Sequence, residues 1–152
     1  MGAVLGIAKR ALQLHVERTR ERLEIYTIKS KAQNAGTQAR IAQSGVEIVT
    51  AELLLGRMGA IFERIAASRS LATIAERAEL KWHAAYVVEL CRRATERIFA
   101  ASGAHSVYDD NRLQAVFRDM NTACHHAVVD FDSTAEMFGR VTLGLPPETP
   151  LV

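Results

Sequence analysis

Apolar residues recur along this chain at spacings of three and four, and no stretch sustains the alternation of a strand. Val4, Ala8, Ala11 and His15 step through the first segment and predict a helix from about Ala3 to Tyr26. A polar connection, TIKSKAQNAGT, follows from Thr27 to Thr37, with Gly36 as its loop glycine. A second helix is expected from about Gln38 to Ala67. Its seam of Ala42, Val46, Val49 and Leu53 passes to another face at Leu54, Met58, Ile61 and Ile65, which predicts neighbours on more than one side. Gly45, Gly56 and Gly59 weaken that helix and predict close approach of another backbone. The third helix, about Leu71 to Ser102, has the cleanest period and should stop at Gly103. A fourth, capped by Asp109, Asp110 or Asn111, is expected to run unbroken through Phe117, Cys124, Ala127 and Phe131 to Gly139.

All three prolines fall at or after Pro146, so no helix breaker precedes it. These elements predict an all-α protein, an antiparallel four-helix bundle over residues 1–145 with a tail over 146–152. Helices of this length, about 45 Å by helical rise, expose wide faces, and an oligomer of dimer or tetramer size is expected. With 152 residues the chain suits one domain. Its 49% apolar and 24% charged content excludes a disordered chain. The net charge of +2, with basic residues interspersed among glutamates as in VERTRERLE, argues against a nucleic-acid surface. Lys9 and Arg10 break the leading apolar run too early for a membrane span. Cys91 and Cys124 form no CxxC and follow no secretory signal, so both read as packing residues in a reduced, cytoplasmic setting.

Candidate chemistry gathers in FRDMNTACHHAVVDFD, Phe117 to Asp132. On a continuous helix His125 and His126 would diverge by about 100° and could not share a metal. His126 and Asp130 would supply only two ligands, and no Glu-x-x-His pair suggests a di-iron centre, so no metal is expected. A histidine at a core boundary is more often a hydrogen-bonded packing residue than a catalyst. No phosphate-binding loop, dinucleotide fingerprint or nucleophile elbow is present.

The sequence nevertheless resembles one family along nearly its whole length. GAVLGIAKRAL, the Gln38 region, and Gly103, Leu113-Gln114, Phe117-Arg118-Asp119, His126, Asp132, Gly139-Arg140 and Leu143-Gly144 carry the resemblance. It is to the C-terminal domain of flavin-dependent monooxygenases built on the acyl-CoA dehydrogenase fold. The resemblance implies an oxidoreductase in which reduced FMN or FAD, delivered by a separate flavin reductase, forms a C4a-hydroperoxide that hydroxylates an aromatic small molecule. It implies a catalytic role for His126, facing flavin and substrate, and cofactor contacts from Gln38, Arg40, His105 and Ser106. His125 has no such match, and Asn121 stands where relatives often carry a second histidine.

Met1 falls where the family's middle β domain would hand over to the bundle. The expectation is therefore a flavin- and substrate-covering assembly domain, inactive alone, with a further chain carrying the missing domains as an expected partner. The alternatives are a solitary helical assembly module without catalysis, and the corresponding domain of an acyl-CoA dehydrogenase proper.

Overall fold

The computed structural model describes residues 1–21, 30–149 and 152. These include five α-helices: α1 Gly2–Glu21, α2 Ala35–Ser68, α3 Ile74–Ala101, α4 Arg112–Cys124 and α5 Phe131–Thr142. Short 3-10 turns occupy Lys31–Gln33, Ala104–Val107 and Ala127–Val129. The protein is all-α, as the spacing predicts.

Helix directions follow from the contacts. Lys9 of α1 pairs with Glu52 of α2, and α2 returns along α3 with Ser44 beside Ala94 and Arg64 beside Glu76. Phe99 of α3 stacks on Phe117 of α4 at 4.0 Å between centroids, and Leu113 joins Ile98 and Ala11. The first four helices therefore run up, down, up, down. Helix α3 packs against all four others. The core is built from small residues with no exposed surface, such as Ala8, Ala51, Cys91 and Ala94, filled out by Ile48, Val87 and Met120. Alanines at the contact let helix axes approach closely.

Ends are set by side chains. Asn34 caps α2 through Thr37 N–H, so the helix begins three residues before Gln38 and Gly36 lies in its first turn, not in a loop. Residues 22–29, which hold the end of the expected first helix and part of the connection, lie outside the described residues. Thr73 and Glu76 form a reciprocal capping box at the start of α3. Gly103 follows the end of α3 with φ of 78°, a backbone region that glycine enters at no steric cost. A Cβ built on Gly45, Gly56 or Gly59 would meet nothing within 4 Å, so the close approach they predict does not occur among the described residues.

At the top of the bundle His15 is 3% exposed. Its Nδ1 is 2.8 Å from Ser102 Oγ, and that hydroxyl gives its own proton to the Ile98 carbonyl. His15 Nδ1 must therefore be the donor, which leaves Nε2 as a buried acceptor without a partner. Burial, and then the charges of Lys31, Arg18 and Arg40, hold His15 below the usual histidine pKa.

The expected unbroken fourth helix is wrong. It stops at Cys124 and resumes as α5 at Phe131. Side chains near its end turn back onto the backbone: Asn121 Nδ2 bonds the Phe117 carbonyl, Thr122 Oγ1 that of Arg118, and His125 Nδ1 that of Asn121. Val128 and Val129 are β-branched, and Asp130 then starts a new helix by accepting Ser133 N–H at 3.0 Å. Helix α5 keeps the direction of α4 and closes on α3 through Trp82, Tyr86, Phe131 and Phe138, with Phe131 5.1 Å from Trp82.

Candidate functional site

The break between α4 and α5 shapes a surface cleft of about 250 Å³ against the middle of α3. Val88, Val129 and Phe131 give it apolar wall; Arg92, His125, His126 and Asp130 give it a polar rim. Arg92 is tied down by Glu89 at 2.8 Å and Glu96 at 2.6 Å, bonds that raise its already high pKa. Asp130 is engaged as the α5 cap, and its hydrogen bonds from Ser133 lower its pKa. His126 also borders an adjoining, mostly apolar cleft of about 480 Å³ with Met1, Ala123, Val128 and Val129.

Hydrogen bonds assign the two imidazoles opposite roles. His125 is the last residue before the break, and its Nδ1 lies 2.6 Å from the Asn121 carbonyl. A carbonyl only accepts, so Nδ1 carries the proton and Nε2 of the neutral ring is an acceptor. His126 caps the 3-10 turn, and its Nδ1 accepts Val128 N–H at 3.3 Å. Its Nε2 therefore carries the proton and is a donor. Both side chains are exposed. The 100° divergence expected on a common helix does not apply, because the pair sits at the break and both line one cleft.

The other nominated residues lie elsewhere. Gln38 and Arg40 are exposed on the first turns of α2, Gln38 bonded to the Ala32 carbonyl. His105 is exposed and packs edge-on to Tyr108 at 5.0 Å. Ser106 is buried and gives its hydroxyl proton to the Gly103 carbonyl at 2.6 Å. All four are near the end of the bundle where Lys31 reaches the Ala101 carbonyl. Along α3, Ala101 is about 20 Å from Val88 in the His126 cleft, by helical rise. Residues 38, 40, 105 and 106 thus group at one end, and His126 does not join them. Sequence reading missed the cleft partners Arg92 and Phe131. The signal for the break was Asp130 followed three residues later by Ser133, a helix start inside an apparently helical run.

Among the described residues no three His, Cys, Asp or Glu side chains converge as a metal site, and no helix is long and apolar enough to cross a membrane.

Comparisons with known proteins agree with this architecture. The family model described as acyl-CoA dehydrogenase, C-terminal domain, matches residues 1–131. The oxygenase component of p-hydroxyphenylacetate 3-hydroxylase from Acinetobacter baumannii is 30% identical over 97% of this chain and 35% of its own length. A pigment production hydroxylase from a Rhodococcus species is 31% identical over 98% of this chain and 38% of its own. In three dimensions the chain is similar to XiaF from a Streptomyces species, solved with FADH2 and glycerol, with a TM-score of 0.91 and 25% identity over 98% of this chain and 38% of that one. The chain spans little more than a third of the length of these relatives. It belongs to the acyl-CoA dehydrogenase C-terminal domain family.

Proposed function

We propose that this bundle is the C-terminal wall of a flavin-dependent aromatic monooxygenase, covering reduced flavin and substrate and taking part in a homo-oligomer, and that it is inactive alone. The observation that carries this reading is the break at residues 125–130. It brings a donor imidazole and an acceptor imidazole to one cleft beside apolar surface, in a chain whose relatives are named as hydroxylase oxygenases.

The residues fit one wall of such a site. Val88, Val129 and Phe131 supply a surface for a flat ring, and the cleft is open on its far side. Ligand sites commonly bury 70–90% of a small ligand, so the opposite wall must come from elsewhere. Reduced FMN or FAD, when bound, would supply the two electrons that activate dioxygen, which is itself the source of the transferred atom. His126 Nε2–H is placed to donate a hydrogen bond to an oxygen atom held over the cleft, and its Nδ1 bond to Val128 fixes that tautomer. His125 Nε2 offers an acceptor for a phenol proton at the same rim. Gln38, Arg40 and His105 would meet the phosphate-bearing part of a flavin at the far end of the bundle. Ser106 would meet it only as an acceptor, its proton being engaged. A reductase and the chain segment carrying the remaining length of the relatives are the partners this reading requires.

Labelled dioxygen provides the test. Assembled with those partners, the protein should place one labelled atom in a phenolic substrate of the p-hydroxyphenylacetate type. Oxygen consumption with no label in any phenol offered would support an assembly module without this chemistry.

A further inference from the structure

The cation of the cleft beside His126 is already paired. Arg92 lies one turn beyond Val88 on α3, so its guanidinium stands at the edge of the apolar wall. Glu89 grips it through Nε and Nη2, both at 2.8 Å, and Glu96 takes Nη1 at 2.6 Å. Spacings of three and four along one helix let both glutamates reach it. One positive charge thus meets two carboxylates, and Asp130 on the same rim adds a third. With both imidazoles neutral, the rim is net negative. Arg92 and Glu89 are only 32% and 21% exposed, which limits screening by salt. Among the described residues no charged side chain lines the adjoining cleft, where Ala123, Val128 and Val129 give an apolar surface.

We infer that Glu89 and Glu96 are specificity determinants that close this wall to anionic phenols, so that the substrate is a phenol with an uncharged, apolar substituent. The inference rests on the monooxygenase reading above and narrows the substrate class within it. A substituent on a ring held against Val88, Val129 and Phe131 has two neighbours on this wall: the clamp on α3, and the apolar cleft that shares His126. A carboxylate at the clamp would have to displace a glutamate from Arg92, or stay unpaired beside three other carboxylates. In the apolar cleft it would lose its water without gaining a cation. An alkyl or aryl group meets neither cost and gains burial against Val128 and Val129. Discrimination then comes from what the wall sets against the wrong ligand.

Binding of two nearly isosteric phenols tests this. In p-hydroxyphenylacetate a carboxylate replaces the terminal methyl of 4-ethylphenol. Each is titrated to millimolar concentration into the isotope-labelled 152-residue chain, its amino terminus acetylated because Met1 borders the adjoining cleft. Affinity is read from NMR shifts of Val88, Val129, His125 and His126. 4-Ethylphenol should bind at least about tenfold more tightly than the acid, since like charges brought together oppose association. Glu89→Gln combined with Glu96→Gln should move that ratio toward the acid by a similar factor, and adding Arg92→Gln should cancel the gain. A purely structural clamp would alter both affinities together and leave their ratio fixed. Equal affinities in the unaltered chain, or a ratio unmoved by the double variant, would overturn the inference. Binding is read without turnover, so failure of the labelled-dioxygen test would overturn the monooxygenase reading and leave the selectivity of the wall standing. No shift in the cleft with either phenol would overturn both.

Discussion

Glu47 and Arg97 tie α2 to α3 by a bidentate pair at 2.5 and 2.9 Å, with Ser44 adding a bond to the same guanidinium. Glu47 is largely buried and Arg97 partly so, and removing the carboxylate leaves the guanidinium without its ion-pair partner. Glu47→Ala should lower the unfolding free energy by about 3 kcal/mol, whereas replacing both by leucine should cost distinctly less. Denaturant titration of the three variants measures the difference. His15 makes a prediction in pH. Its folded pKa lies below the ordinary 6.5, held there first by burial and then by Lys31, Arg18 and Arg40; burial likewise lowers His83, against the opposing charge of Glu79 and with that of Arg57. Above about pH 6.5 both states are neutral at these sites, and the stability is fully present. Below it the unfolded chain takes up protons that the folded chain resists, so stability falls. Melting temperatures from about pH 8 to about pH 5 should decline, and His15→Leu should flatten the decline. A variant curve parallel to the parent would show that His15 does not titrate in this way. The substitution strands no hydroxyl, because Ser102 keeps its bond to Ile98.

At the level of elements, Asn111 joins two pieces of structure. Its side-chain oxygen caps α4 through Leu113 N–H, and its amide holds the His105 carbonyl in the preceding turn. Asn111→Ala should cost about 1 kcal/mol and loosen the turn that carries His105 and Ser106. Hydrogen exchange at residues 104–113, faster than in the parent while α1 and α3 keep their protection, is the expected signature. The elements also show what the sequence can reveal. The seam of α1 was legible because Val4, Ala8, Ala11 and His15 are all buried, and that of α3 because Val87, Cys91, Ala94 and Ile98 are. In α2 only the second half of the seam was read correctly: Met58 and Ile61 are buried, whereas Ala42, Val46, Val49 and Leu53 are exposed and the core takes Ser44, Ile48 and Ala51 instead. The break at residues 125–130 was not. Apolar spacing runs through Cys124, Ala127 and Phe131 as if the helix continued, and periodicity cannot register a single 3-10 turn. Only capping chemistry at Asp130 marks the interruption.

At the scale of the whole molecule, the bundle is a third of what its relatives contain, and its candidate chemistry lies on its surface. The fold was legible through resemblance. The opposite tautomers of His125 and His126 were not, since they depend on the Asn121 carbonyl and the Val128 amide. A single wall should bind flavin poorly, so anaerobic titration of the isolated chain with reduced FMN is expected to give weak binding or none; tight stoichiometric binding would mean the bundle holds a complete site. The central claim is that His126 faces the oxygen-transfer chemistry from this wall. The ratio of hydroxylated product to released hydrogen peroxide, in the assembled oxygenase, measures it most directly. His126→Ala should lower hydroxylation about 10²- to 10⁴-fold in favour of peroxide while assembly is unchanged, and His126→Gln, which keeps a donor, should recover part of it. Hydroxylation by His126→Ala at the parent ratio would contradict the account.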